Sequence, residues 1–461
     1  MFPSTIAAIS TPYGRGGIAV IRISGEDAIA IADQIFKTKS KKSLSETEGG
    51  RIVYGDIYLD GKVIDDGMAA IFRAPHSYTG EDTVELSCHG GILVTESVLT
   101  AALSAGAVQA EAGEFTKRAF VNGKLSLSEA EAVINLIDAE TRDKMHLARS
   151  HASGVFSRKI DGIYESLLSL VSQTYVYADY PDEDLTDLSP AELRQGIANA
   201  LSEVTDLQAT FKAGHAISEG IYTVVAGKPN TGKSSLMNAL LGRERAIVSS
   251  HAGTTRDYLE ETATVGKIFL KLVDTAGIHE AEDEVERIGI SRSVSALEKA
   301  ELILAVFDAS LPPDSEDVAF FEKLKTLPIP KIAILNKNDL TESHRAEYDP
   351  YLTEDFHAIL SLSAKEELGL DTLKDTIESL FVQGNIDYNA FPIVANARQS
   401  ASLLKCAEAL HRALDALDCG FTQDIAGMDI ENAMVALAET DGRGVSADIV
   451  DRIFHRFCVG K

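Results

Sequence analysis

Gly227-Lys228-Pro229-Asn230-Thr231-Gly232-Lys233-Ser234 decides the fold of the middle of this chain. The stretch reads G-x-x-x-x-G-K-S, and its neighbours supply the strand-loop-helix context that the pattern needs. Before it, Ile221-Tyr222-Thr223-Val224-Val225-Ala226 reads as a buried strand; after it, Ser235, Leu236, Met237 and Leu240 open a helix. Backbone N–H groups at such a helix start converge on phosphate oxygens, and the helix dipole favours negative charge there. On this reading Asn230, Thr231, Gly232, Lys233, Ser234 and Ser235 surround a nucleotide's phosphates. The Lys233 amine reaches the β- and γ-phosphates, and the Ser234 hydroxyl ligates Mg2+.

Further out, strand-like runs recur at 269–273, 302–307, 331–335 and 358–362, with helical patterns between the later ones. Alternating strand and helix predicts a mostly parallel sheet covered on both faces. Such sheets bind ligands beyond the carboxyl ends of their strands, and three of these ends carry polar motifs. Asp274-Thr275-Ala276-Gly277 is a D-x-x-G element after Val273. Asp274 would hold Mg2+ through its water shell, and the Gly277 N–H would sense the γ-phosphate. Asn336-Lys337-Asn338-Asp339 follows Leu335. The Asp339 carboxylate can accept from the ring N–H and exocyclic amine of guanine, a donor pair that adenine lacks. A site built for that pair discriminates by about 10⁴, because the wrong base leaves a buried group unpaired. Ser363-Ala364-Lys365 completes the base pocket. Four ordered elements predict a GTP-hydrolysing domain over residues 220–382.

One position departs from the pattern. In Ras-like GTPases a glutamine after D-x-x-G orients the attacking water. Ile278 stands there and cannot hydrogen-bond water. Glu280, Glu282, Asp283, Glu284 and Glu286 are candidates within the chain, and an external group is the alternative. Each of these acids equally suits a solvated helix start.

The flanks differ in character. Residues 1–122 mix short strand-like runs with glycine-rich turns at Gly14-Arg15-Gly16-Gly17 and His89-Gly90-Gly91, which predicts an α+β domain. Helical periodicity occupies 123–219 and returns over 383–461, where Ile449, Ile453, Phe454 and Phe457 fall on one stripe. One helical domain interrupted by the sheet and two separate helical units give the same pattern. A chain of 461 residues implies about three domains. No apolar run approaches the roughly 18 residues of a membrane span, and the first residues lack the marks of a signal peptide. Cys88, Cys406, Cys419 and Cys458 form no C-x-x-C pair, which argues against a disulfide framework or a zinc site and for a cytoplasmic protein. The formal net charge of −27 excludes nucleic-acid binding through a global basic field. RNA would have to be met by a local patch or a partner. The cluster Lys37 to Lys42 reads as a solvated loop.

Gly253-Thr254-Thr255-Arg256-Asp257, between the phosphate loop and D-x-x-G, makes the central domain resemble the TrmE-Era-like GTPases. Two further stretches narrow the likeness. The first is Thr11-Pro12-Tyr13-Gly14-Arg15-Gly16-Gly17-Ile18-Ala19-Val20-Ile21-Arg22-Ile23-Ser24-Gly25. The second is Phe457-Cys458-Val459-Gly460-Lys461. Over essentially its whole length the chain is similar to the MnmE (TrmE) family of tRNA-modification GTPases. A prenylation box is the competing reading of Cys458, and the final lysine argues against it.

The resemblance implies a multidomain α/β protein: a P-loop G domain inserted in an all-α domain and preceded by an α+β folate-binding-like domain. The domain limits are 1–122 (tetrahydrofolate binding and dimerisation), 123–219 (helical), 220–382 (G domain) and 383–461 (helical). It implies a homodimer and an FAD-dependent partner in a hetero-oligomer. Together they would add a carboxymethylaminomethyl or aminomethyl group to the wobble uridine of certain tRNAs. It implies K+ in place of an arginine finger, held by Asn230, the carbonyls of Ser249 and His251, and Thr254. The same GTP-binding loop runs through Ser250, Ala252, Gly253 and Thr255. Thr255 matches the second Mg2+ ligand, and Glu286 the glutamate that orients water. Arg22, Glu85, Lys124 and Lys461 match positions that hold a tetrahydrofolate derivative in its 5-formyl or methylene form. A carboxylate suits the pterin's amine and ring N–H, and cations suit the glutamate tail. Without the resemblance, each of the four reads equally as part of a surface ion pair. Cys458 matches the family's terminal cysteine, a candidate for the modification chemistry; alone it reads as a small semi-buried residue beside Phe457. The competing function is a GTP switch in ribosome assembly. Such proteins usually add a basic RNA-binding module, and none is visible in this sequence.

Overall fold

The computed structural model describes residues 4–179, 189–242, 261–274, 299–340, 344–352, 354–384, 386–388, 391–455 and 457–461. Strands β1 (Ile6–Ile9) and β2 (Ile18–Ser24) lead to α1 (Ala28–Ile35), β3 (Phe36–Thr38) and β4 (Arg51–Leu59). Next come β5 (Lys62–Phe72), β6 (Thr83–His89), α2 (Ile92–Ser104), β7 (Val108–Gln109) and α3 (Glu114–Val121). Helices α4 (Leu127–Ile137), α5 (Arg142–Ala152), α6 (Val155–Asp179), α7 (Pro190–Ala209) and α8 (Phe211–Ser218) follow. A second set of strands starts with β8 (Ile221–Ala226), α9 (Lys233–Leu241), β9 (Glu261–Val265) and β10 (Ile268–Asp274). It continues through β11 (Leu302–Asp308), α10 (Ser315–Lys325), β12 (Lys331–Asn336), α11 (Arg345–Tyr348), β13 (Ala358–Ser361) and α12 (Leu370–Phe381). Helices α13 (Ala397–Asp418), α14 (Gln423–Glu439) and α15 (Ala447–Phe454) follow. The chain is a multidomain α/β protein, its second sheet inserted in sequence between helical stretches. Among the described residues no helix is long and apolar enough to cross a membrane.

Two compact units divide the chain. The first comprises Met1–Ile134, His151–Ile197 and Glu408–Lys461. Its sheet has the order β3-β4-β5-β6-β2-β1-β7 and is antiparallel except where β7 joins β1. Side chains alternate across a strand. Ile21, Ile23, Ile71, Val84 and Leu86 therefore turn to one face, where they pack with α1 and α2. Arg22, Ser24 and Glu85 occupy the alternate positions, on the side where Ile6, Ala8 and Phe115 of α3 cluster. Lys37 lies in β3 rather than in a loop, and Lys39, Lys41 and Lys42 are exposed beyond it.

Helix α15 corrects one expectation. Its buried stripe runs through Val450 and Phe454, against Leu127 and Ala130, while Ile449 is 45% exposed. Positions four apart share a helix face, and centring the stripe on Val450 turns Ile449 away. Beyond α15 the chain returns to the start of the unit. Val459 bridges to Ala112, the Cys458 carbonyl accepts from the Gly113 N–H (3.3 Å), and the Ser10 hydroxyl donates to the Gly460 carbonyl (3.0 Å). Gly460 has φ 99°, and a Cβ there would overlap the Ile9 carbonyl. Cys458 is exposed, not semi-buried, because this seat uses its backbone.

The second unit comprises Asn135–Ser150 and Ala198–Ala407. Its sheet has the order β13-β12-β11-β8-β10-β9, parallel throughout except for the edge strand β9. Apolar runs without alternation are what strands buried on both faces require. Val225, Leu304, Val306 and Ile334 join one core, with Leu236, Leu240, Leu373 and Ile377. Val224, Ala305, Phe307 and Leu335 join the other, with Phe321 and Tyr348.

Candidate functional site

Parallel pairing of β10, β8, β11, β12 and β13 brings the carboxyl ends of these strands to one edge of the second sheet. The loop after β8 is shaped by its glycines. Gly227 lies so close to β11 that a Cβ would overlap the Val306 carbonyl. Gly232, at φ 97°, caps α9, and a Cβ there would overlap the Asn336 amide. Asn230 is itself left-handed, at φ 63°. The Lys233 amine, 5% exposed, donates to the carbonyls of Gly227 (2.9 Å) and Lys228 (2.8 Å). The Thr231 hydroxyl also donates to the Lys228 carbonyl (2.9 Å). Ser234 and Ser235 are exposed in the first turn of α9.

Asn336, at the end of β12 and 3% exposed, ties this loop to the next one. Its Nδ2 donates to the Thr231 carbonyl (2.8 Å), and its Oδ1 accepts from the Ala364 N–H (2.9 Å). One buried amide thus joins the phosphate-type loop to residues 363–365. Lys337, at φ 66°, reaches Asp308 at the end of β11 (2.6 Å). Burial pushes the Asp308 carboxyl up, but hydrogen bonds from Lys337 and Ser310 outweigh it and leave the pKa lowered. Asp339 is exposed, and its carboxyl is held below the ordinary range, first by the Ser363 hydroxyl and next by its own N–H. Ser363 is fixed by two backbone hydrogen bonds with Leu368, both 3.0 Å, while Lys365 is 80% exposed. Asp274 closes β10 opposite Val225. Ser249, Ser250, His251, Ala252, Gly253, Thr254, Thr255, Thr275, Ala276, Gly277 and Glu286 lie outside the described residues.

Three contacts here were not read from the sequence. Lys228 pairs with Asp314 and Asp317 of α10, Asp308 backs Lys337, and Asn336 bridges two loops. Asp308 does close an apolar run, and that was the signal available.

In the first unit, Arg22 and Glu85 face each other across β2 and β6 and form an ion pair, 2.8 Å from Nη2 to Oε1. The Arg22 guanidinium lies 5.4 Å from the Tyr78 ring centroid and 5.5 Å from that of Phe115. The Lys124 amine donates to the Pro75 carbonyl (3.1 Å), at the loop that carries Tyr78. That loop is anchored by Arg118, wholly buried, which donates to Glu81 (3.2 Å), Glu114 (2.8 Å) and the Ser4 carbonyl (2.8 Å). Lys461 follows the segment seated beside Ile9 and Ser10. Asp65, Asp66 and His89 also cluster, but His89 is already paired with Asp65 at 2.7 Å.

Comparison with known proteins gives a consistent result. The family model described as MnmE helical domain matches residues 127–458, and that described as GTP-binding protein TrmE N-terminus matches 5–124. The tRNA modification GTPase MnmE of Clostridioides difficile is 40% identical over 99% of both chains. That of Lachnoclostridium phytofermentans is 40% identical over the full length of both. A solved structure of Era in complex with MgGDPNP and a segment of 16S ribosomal RNA is 27% identical over 41% of this chain and 66% of its own, with a TM-score of 0.29.

Proposed function

This chain belongs to the MnmE (TrmE) family, and on that footing we propose that it hydrolyses GTP as part of tRNA modification. The observation that carries the reading is Asn336. Its two buried hydrogen bonds hold the phosphate loop and the base loop in one frame, so a nucleotide meets a pre-set cleft rather than two independent loops. Ser234, exposed in the first turn of α9, would offer its hydroxyl to Mg2+, and the Asp339 carboxylate would accept from guanine. Lys233 exchanges the two loop carbonyls for phosphate oxygens. Mg2+ adds positive charge at the leaving phosphates; Ser234, Thr255 and, through water, Asp274 would hold it. Asn230, Thr254 and the carbonyls of Ser249 and His251 are the proposed K+ ligands. Glu286 is the proposed group that orients water, because Ile278 cannot.

The Arg22–Glu85 pair, flanked by Tyr78 and Phe115, suits a flat heterocycle with an anionic tail. With Lys124 and Lys461 it is the proposed tetrahydrofolate site, and the folate supplies a one-carbon unit. A homodimer and an FAD-dependent partner complete the proposed machinery in the cytoplasm. Its product is a carboxymethylaminomethyl or aminomethyl group on the wobble uridine of certain tRNAs.

The test is the nucleoside composition of tRNA from cells lacking this gene, with and without the wild-type copy restored. Loss of the wobble modification, recovered on complementation, is the expected outcome. Intact modification with defective ribosomal subunits would instead mark a ribosome-assembly GTPase.

A further inference from the structure

Lys228 occupies one of the variable positions of the phosphate loop, yet its amine is turned onto α10. It lies 2.6 Å from Asp314 and 2.7 Å from Asp317. Asp314 is the N-cap of α10, with one oxygen accepting from the N–H groups of Glu316 and Asp317, and Asp317 closes the capping box. A helix N-terminus repels a cation, so the ammonium stays there because two carboxylates face it. Asp317 is 3% exposed in its side chain, and its Oδ1 has no hydrogen-bond partner. Without Lys228 its buried charge would lose its counter-ion. At the other end of the same residue, the Lys228 carbonyl accepts from Lys233 and Thr231. The residue anchored on α10 thus also carries a carbonyl that the phosphate lysine contacts.

A second ion pair starts from the same connection, six residues earlier in the chain. Asp308 accepts from Lys337 with one oxygen and from the Ser310 N–H and hydroxyl with the other. The base of the connection is rigid. Phe307 and Phe321 stack at 4.3 Å, and the Tyr348 hydroxyl donates to the Asp308 (3.0 Å) and Leu311 (3.3 Å) carbonyls.

We infer that residues 308–317, which carry none of the nucleotide motifs, form a positioning bracket for the GTP site. Asp308 fixes the base loop through Lys337, while Asp314 and Asp317 fix the phosphate loop through Lys228. The inference rests on the GTP reading above. Each half acts on a different end of the nucleotide, which gives it a signature beyond loss of stability.

The experiment measures affinities of the full-length protein for GTP, GDP and GMP by competition against a fluorescent GDP. Lys228→Ala is expected to raise the Kd of GTP and GDP about tenfold or more, since a small misplacement of a binding loop has effects of this order. GMP, without a β-phosphate, changes by less than about twofold. Lys228→Arg restores the GDP affinity. Asp308→Asn raises all three Kd values by similar factors. If Lys228→Ala does not fold, Asp314→Asn, at the exposed arm, gives the same selectivity at about threefold. An unchanged GDP affinity, or an equal loss for all three ligands in the Lys228 or Asp314 variant, overturns the bracket. A wild-type protein that binds no guanine nucleotide instead overturns the GTP reading itself.

Discussion

At the scale of single residues, Asn336 frames the two loops, and Asp339 is the proposed reader of the base. The Asp339 carboxyl is held below its ordinary range, first by the Ser363 hydroxyl, and on the GTP reading it accepts from the two N–H donors of guanine. In Asp339→Asn one acceptor becomes a donor. Preference then shifts from GTP towards xanthosine triphosphate in a competition titration; an unchanged preference would remove Asp339 from the base pocket. Asn336→Ala leaves the Thr231 carbonyl and the Ala364 N–H without their buried partner. The expected cost is about 1–3 kcal/mol per unsatisfied group, read as a lower Tm in calorimetry, with weaker GTP binding. In the first unit, Arg22→Ala breaks the cross-strand pair with Glu85 and should abolish binding of 5-formyltetrahydrofolate in titration calorimetry. Equal heats for wild type and variant would take Arg22 out of that site. The motif residues were legible because each follows an apolar run directly. The Lys337–Asp308 and Lys228–Asp317 pairs were not, because they depend on which strands neighbour one another, and spacing along the chain does not encode that.

At the scale of elements, the passage from α8 into β8 carries a titrating contact. His215 Nε2 lies 2.7 Å from Glu301, whose other oxygen accepts from the Tyr222 N–H (3.0 Å). The His215 pKa is raised, first by the Glu301 hydrogen bond, against the opposing effect of burial. Its stabilisation is therefore complete below the ordinary histidine value of about 6.5 and is lost as pH rises through the higher folded value. Burial pushes the Glu301 carboxyl up, but bonds from His215 and Tyr222 outweigh it and leave the pKa lowered. That contribution is present above about pH 4.3 and is lost as pH falls through the folded value. His215→Gln should lower Tm most near about pH 5.5, with the gap to wild type narrowing above about pH 8. A gap of constant size across that range would show that the histidine is not the charged partner. The sheet runs from β8 onward were legible by their unbroken apolar character. Edge strand β9 was not, because Glu261-Thr262-Ala263-Thr264-Val265 is short and half polar. In α15 the periodicity gave the helix, but its phase was decided by packing against Leu127 and Ala130.

At the scale of the whole molecule, a net charge of −27 makes a bound cation a natural device for hydrolysis. Charge develops between the β- and γ-phosphates in the transition state, and compensating it usually accelerates such reactions more than any other single effect. GTP turnover by the intact protein should be markedly faster in K+ than in Na+ or Cs+ at matched ionic strength, and Asn230→Ala should erase the difference. Equal rates in the three salts would overturn the K+ proposal and leave Arg256, directly after Thr255 in the sequence, as the alternative charge donor. The α+β, α/β and helical stretches were legible from their different periods. The seating of Val459 and Gly460 on residues 9–10 and 112 was not, since it joins positions up to 450 apart. That seating imposes an order on synthesis. Chains generally fold domain by domain, from the N-terminus, as they leave the ribosome. Here β1 emerges first, yet the Ser10 hydroxyl just after it meets the Gly460 carbonyl, and Ala112 its bridge to Val459, only when residues 459–460 have been made. The first unit therefore waits, with one flank unfinished, while the whole second sheet is translated and free to fold. A polypeptide cut short before this segment leaves its earliest-made domain incomplete.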